Sequence, residues 1–307
     1  MIALEVKNLS KSFGDLKAVD DASFSVPEGS IFGLLGRNGA GKTTTIRMMM
    51  NIHMPDSGEI NFRGINSGLE FNSKIGYLPE ERGLYKKMKV LETLLFFAEI
   101  KGKKGRAITK LAKEYLEKFE LSDRMNSKIE DLSKGNQQKV QFISTLLHDP
   151  EVLILDELFS GLDPINTNLM KEVILDLKSR GKIILFSTHV MSYAERMCDH
   201  IAIIDHGKIK INGSVSEIKA ERSKRNVSLN YDGDISFLQN HPIIESISDH
   251  GKSVGIKVNE EKDIQPLLKL LVDKNVTVKK FDANDISLEE IFIDLVGKEA
   301  TEEVTNV

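Results

Sequence analysis

The chain has 307 residues, enough for a large core and for two domains. Lys plus Arg number 42 and Asp plus Glu 46, a net charge of −4, so no basic excess argues for a nucleic-acid partner. The single cysteine, Cys198, has no intrachain partner, which predicts a reducing compartment, and its helical surroundings predict a core role rather than a nucleophile.

Met1–Lys7 alternates polar and apolar residues, which predicts a strand over Ile2–Leu9 and not a secretion signal. Ala22–Val26 reads as a second strand, closed by the turn Pro27-Glu28-Gly29. Ser30–Leu35 reads as a buried strand and Thr44–Met50 as a helix. Between them lies Gly36-Arg37-Asn38-Gly39-Ala40-Gly41-Lys42-Thr43-Thr44, which fits the phosphate-loop pattern. Its glycines let the backbone wrap close to a phosphate, and successive N–H groups and the helix N-terminus point at the anion. Lys42 can then reach the β- and γ-phosphates, and the Thr43 hydroxyl can hold Mg²⁺.

Pro55–Gly58 is a turn signal, after which Glu59–Phe62 resumes a strand. No apolar run approaches the roughly twenty residues of a membrane-spanning helix, so a membrane role would need another chain. From Val90 to Leu147 the pattern is helical, with Ile108, Leu111, Ala112, Tyr115, Leu116 and Phe119 at spacings of three and four. The basic cluster Lys101–Arg106 reads as a solvated loop inside it. Leu132–Val140 starts a helix, where Ser133 and Gly135 offer either an anion cradle or an ordinary N-cap.

Val152–Leu155 is fully apolar, as parallel strands covered on both faces are, and runs into Asp156-Glu157. That places two carboxylates at the edge where α/β sheets bind ligands. Asp156 can hold Mg²⁺, and Glu157 can accept a proton from an attacking water. Lys182–Ser187 is a similar strand, and Ile201–Ile211 reads as a hairpin turning at Asp205-His206-Gly207. Ala220–Arg225 reads as a linker. Beyond it Asn226–Tyr231, Ile243–Ser248, Ser253–Val258 and Val276–Phe281 are predicted strands, with helices over Asp263–Lys274 and Ser287–Val296. The tail Glu299–Glu303 is expected to fray.

The phosphate loop, the helical insertion, Leu132–Gln137, the acidic strand, Ser160–Asp163 and Ser187-Thr188-His189 occur in that order. This succession resembles the nucleotide-binding subunit of ATP-binding cassette (ABC) transporters over residues 1 to about 220. The resemblance implies an α/β fold: a P-loop cassette with an N-terminal β-subdomain and a helical subdomain at about 85–147, followed by a small α+β accessory domain over 221–307. By resemblance Phe13 stacks on adenine. Gly36, Asn38, Gly39, Ala40, Gly41, Lys42, Thr43 and Thr44 form the Walker A loop, and Val152–Asp156 is Walker B. Glu157 is the catalytic carboxylate and His189 the switch histidine at the γ-phosphate. Leu132–Gln137, with Ser133, Gly135 and Asn136, is the family signature, and Ser160–Asp163 the D-loop.

Two departures stand out. Lys134 replaces the first of the signature's two usual glycines, and Asn136 its glutamine. Glu80 stands where the family's Q-loop has glutamine, keeping an oxygen for Mg²⁺ but losing the amide donor. Tyr77–Tyr85 and Ser287–Phe292 look like a bacterial NatA-like subgroup that pairs with separately encoded export permeases. The implied protein binds ATP and Mg²⁺ and drives a membrane exporter. It works head-to-tail with a second copy of itself or a similar subunit, cytoplasmic and peripheral on the inner face of the membrane. A soluble ABC ATPase of translation or DNA repair is the alternative; a single cassette and a short insertion argue against it. A regulatory binder with weak hydrolysis, suggested by Glu80, is another, and the presence of Glu157 argues against that.

Overall fold

The computed structural model describes residues 1–81, 83–249, 254–283 and 286–305. Arg82 of the Tyr77–Tyr85 pattern and Ser253 of a predicted strand lie outside the described residues. The chain forms two compact units, Met1–Asn212 and Gly213–Val307.

The first unit runs β1 (Ile2–Phe13), β2 (Leu16–Pro27), β3 (Ile31–Leu35), α1 (Lys42–Met49), β4 (Ser57–Phe62), β5 (Ile65–Asn66), α2 (Leu69–Ser73) and β6 (Ile75–Leu78). It continues with α3 (Val90–Ile100), α4 (Arg106–Lys118), α5 (Lys134–Leu146), β7 (Val152–Asp156), α6 (Pro164–Ser179), β8 (Ile183–Thr188), α7 (Met191–Met197), β9 (His200–Asp205) and β10 (Lys208–Ser214). An antiparallel sheet has the order β2-β1-β4-β5. A six-stranded sheet has the order β10-β9-β3-β8-β7-β6, and β9, β3, β8, β7 and β6 are parallel.

The period of two explains why the central strands are apolar throughout. Phe32, Leu34, Val152, Ile154, Ile183 and Leu185 pack on one face, with Ile46 of α1 and the antiparallel sheet. Leu153, Leu155, Ile184 and Phe186 pack on the other, against Leu94, Leu116, Phe142 and Ile174 from the helices. Cys198 packs against this second core, and burial pushes its thiol well above the usual range, as suits a structural cysteine. β6, four residues long, carried no strand signal strong enough to separate it from the loop that follows.

The second unit holds α8 (Val215–Ser223), β11 (Asn226–Asp232), β12 (Ile244–Asp249), β13 (Val254–Val258), α9 (Ile264–Asp273), β14 (Thr277–Ala283) and α10 (Leu288–Thr305). Its antiparallel sheet has the order β12-β13-β11-β14. Ile264, Leu267 and Leu271 of α9 share a core with Val227, Leu229, Ile256 and Val258.

Two expectations need correction. Most of Ala220–Arg225 is not a linker but the end of α8, which starts from Ser214, an N-cap whose hydroxyl accepts from the Glu217 N–H at 3.1 Å and donates to the Glu217 carboxylate at 2.7 Å. The dense charge of the segment masked the buried Val215 and Ile218. The backbone of α10 runs helical to Thr305, through the segment expected to fray. Among the described residues, no helix is long and apolar enough to cross a membrane.

Candidate active site

At the ends of three adjacent parallel strands, β3, β8 and β7, the chain turns outward and carries polar residues. The segment after β3 is the phosphate loop. A Cβ on Gly36 would lie 2.3 Å from the Ile204 carbonyl, and one on Gly41 2.5 Å from that of Ala18. Gly41 also holds φ at +109°, so both positions require glycine. The Gly36 N–H donates to the Thr188 carbonyl at 3.4 Å and the Ala40 N–H to that of Arg37 at 3.2 Å. Among the described residues, the N–H groups of Asn38, Gly39, Gly41, Lys42, Thr43 and Thr44 donate to no other backbone group. Such a run of free donors at a helix start suits an anion.

Lys42 is only 6% exposed. Its ammonium folds back onto its own loop, donating to the carbonyls of Gly36 at 2.8 Å and Arg37 at 3.1 Å. It also lies 3.5 Å from Glu157 Oε1.

Asp156 ends β7 fully buried. Its Oδ1 accepts from the Ser187 hydroxyl, while Oδ2 has no hydrogen-bond partner among the described residues. Burial raises the Asp156 pKa above the usual carboxylate value; the Ser187 and Thr43 hydroxyls pull it down and the Glu157 charge adds to the rise. Glu157 follows at φ +50°. The left-handed region costs a side-chain-bearing residue roughly 1–2 kcal/mol. The strain persists because the Glu157 N–H is held by the Ser187 carbonyl at 3.3 Å and hydroxyl at 3.2 Å. His189, just past β8, brings Nδ1 to 3.0 and 3.1 Å from the two Glu157 oxygens.

Among the described residues, no group of three His, Cys, Asp or Glu could cage a metal. A Mg²⁺ that keeps its waters and takes phosphate oxygens needs no cage. The unpaired Asp156 Oδ2 beside Thr43 fits that demand.

The structure thus brings Lys42, Thr43, Asp156, Glu157 and His189 together. Ser133, Gly135 and Asn136 stand apart, at the start of α5. The Ser133 hydroxyl accepts from the Asn136 N–H at 3.3 Å, as an N-cap does. A Cβ on Gly135 would be 3.7 Å from Leu162. Among the described residues, these three form no hydrogen bond with the phosphate loop, Asp156, Glu157 or His189. Phe13 ends β1 and is 45% exposed, its ring edge-on to His53 at 5.4 Å. Glu80 is exposed after β6, and no hydrogen bond or ion pair joins it to Thr43 or Asp156 among the described residues.

Ser187 escaped the sequence analysis as a site residue. Its only signal is a polar residue closing an apolar strand. Tyr77 was also missed: its hydroxyl is pushed up to about 12 by burial, with Asp156 adding and Arg47 opposing, so it stays protonated beside the site.

The profile described as ABC transporter matches residues 19–160, and that of the DrrA1-3-like ATP-binding protein C-terminal domain matches 213–296. An ABC transporter ATP-binding protein of Bacillus subtilis (strain 168), YhaQ, is 45% identical over 96% of this chain and 98% of its own. The Nod factor export ATP-binding protein I of Burkholderia lata (strain ATCC 17760 and its synonyms) is 31% identical over 96% of this chain and 97% of its own. A solved structure of an ATP-binding subunit of an ABC transporter superposes with a TM-score of 0.67 at 33% identity, covering 71% of this chain and 92% of that one. With a phosphate loop, an acidic strand end and this likeness across both units, the chain belongs to the ATP-binding subunits of ABC transporters, as an ATPase of the P-loop fold.

Proposed function

We propose that the chain is the ATP-hydrolysing motor of a membrane exporter. In this reading residues 1–220 are the cassette and 221–307 an accessory domain. It works as a head-to-tail pair with a second copy or a similar subunit, docked on a separately encoded permease at the cytoplasmic face. The observation that carries it is the split of the site. Lys42, Asp156, Glu157 and His189 converge, whereas Ser133–Asn136 in the same chain do not reach them. A partner's signature segment would complete each site, and each chain would offer its own in return. The export name of the Burkholderia relative favours export over import.

In this mechanism Lys42 leaves the Gly36 and Arg37 carbonyls for the β- and γ-phosphates of ATP. The freed Glu157 takes a proton from the attacking water, with His189 fixing its carboxylate. Thr43 and Asp156 would hold Mg²⁺, which would supply positive charge to neutralise the phosphates. The test is Mg²⁺-dependent phosphate release by the purified chain, with light scattering in ATP. Absence of turnover sinks the ATPase reading, and a monomer under all conditions, Glu157→Gln included, sinks the pair. Co-purification with a multi-span membrane protein encoded beside it tests the permease.

Phe13→Ala should weaken ATP binding, since base–aromatic stacking contributes about 1–3 kcal/mol. Stability should barely move, because the ring is half exposed. Titration of the purified variant with a fluorescent ATP analogue measures it; unchanged affinity removes Phe13 from the site.

Glu80→Gln restores the family's usual amide and takes a negative charge from near the phosphates. Mg²⁺–ATP affinity should rise or stay level. Turnover of the isolated subunit should change by less than about tenfold, since Glu157 handles the water. The larger effect should appear with the permease in lipid. Complete loss in the isolated subunit would make Glu80 a catalytic carboxylate and reopen the role of Glu157.

A further inference from the structure

We propose that Ser187 is a positioning residue that locks Asp156 and Glu157 against each other and thereby selects the carboxylate oxygen offered to Mg²⁺. The inference rests on the ATPase reading and deepens it. Ser187 is fully buried one residue before the end of β8, and its register partner across the parallel pair is Asp156. A hydroxyl has one proton to donate and two lone pairs to accept with. Here the proton goes to Asp156 Oδ1, and a lone pair receives the Glu157 N–H at 3.2 Å. The same N–H reaches the Ser187 carbonyl at 3.3 Å, a three-centre bond.

Two consequences follow from one side chain serving as donor to one residue and acceptor from the next. Asp156 cannot rotate without losing its Oδ1 bond, so Oδ2, buried and without a partner among the described residues, is the oxygen presented. Glu157 is held at φ +50°, which takes its side chain out of the strand direction and to Lys42 and His189. No neighbour in β8 can take over. Side chains alternate along a strand, so Phe186, part of the apolar core, and Thr188 project from the face opposite Ser187. Only a residue with a hydroxyl at position 187 supplies both bonds. An apolar residue of the same size would fill the space, take the donor from Asp156 Oδ1 and leave the Glu157 N–H only the backbone carbonyl of residue 187.

The test compares Ser187→Ala, Ser187→Thr and Ser187→Val in the full chain. Thr and Val are nearly isosteric and differ by the hydroxyl, so that pair separates hydrogen bonding from packing. ATP binding is measured by calorimetry in EDTA and in Mg²⁺, and turnover by phosphate release. In EDTA the wild type and all variants should bind ATP equally. The Mg²⁺-linked tightening should fall about tenfold in the Ala and Val variants, and kcat by about 10–100-fold, with Thr recovering most of both. If Ser187→Val matches Ser187→Thr in Mg²⁺-linked affinity and in kcat, the proposal is overturned. Should Ser187→Ala unfold, the Thr–Val comparison decides alone. A wild type without Mg²⁺–ATP turnover fails the ATPase reading; an active wild type with equal Thr and Val variants fails only the role of Ser187.

Discussion

Glu157→Gln should keep ATP binding and lose about 10²–10⁴-fold in turnover, the usual contribution of a positioned general base. The backbone supports this as a clean substitution. Gln fits the same volume, its N–H keeps both bonds to Ser187, and the strain at φ +50° is the same for either residue. What disappears is the negative charge between Lys42, at 3.5 Å, and His189, at 3.0 Å. Lys42 then keeps its bonds to the Gly36 and Arg37 carbonyls but loses the pull of Glu157, which favours its transfer to phosphate. ATP should therefore lock a pair of Glu157→Gln chains, visible by size-exclusion chromatography with light scattering. Wild-type turnover in the variant would remove Glu157 from the catalytic role and leave His189 as an ordinary partner of a buried carboxylate.

Much of this site was legible because its parts are local. Gly36–Thr44 carries its function in consecutive residues, and Asp156-Glu157 announces itself at the end of an apolar run. Ser187 is a different case. It matters only because β7 and β8 lie side by side in a register that pairs it with Asp156, and no spacing within the chain reveals that register. The resting position of Lys42 was equally hidden, since it depends on loop carbonyls and on a carboxylate from another strand. Periodicity located the central strands and α9 well, because burial on a fixed face forces the pattern. It failed at α8, where a short helix buries few residues among many charges.

Ser133→Arg should abolish hydrolysis while leaving the ATP affinity of the monomer almost intact. The geometry argues for both halves of that outcome. Ser133 is exposed and, among the described residues, its hydroxyl accepts from the Asn136 N–H and its carbonyl from the Gln137 N–H, both in its own helix, so it does nothing for ATP bound in its own chain. Losing that cap weakens α5 by about 0.5–2 kcal/mol, too little to unfold a domain with this core. Thermal melting of the variant checks this point. In a head-to-tail pair the same residue would meet the partner's ATP, where a long cation in place of a small hydroxyl blocks closure. Mixing Ser133→Arg with Lys42→Ala chains then gives the decisive measurement. In a mixed pair, the first chain supplies an intact Lys42 and the second an intact Ser133, so one of the two sites is whole and the other doubly broken. With random pairing and independent sites, activity should recover to about one quarter of wild type. Each variant alone should stay inactive. If mixed pairs form, as a differential tag pull-down would show, and no activity returns, then independent sites shared between two chains do not exist here.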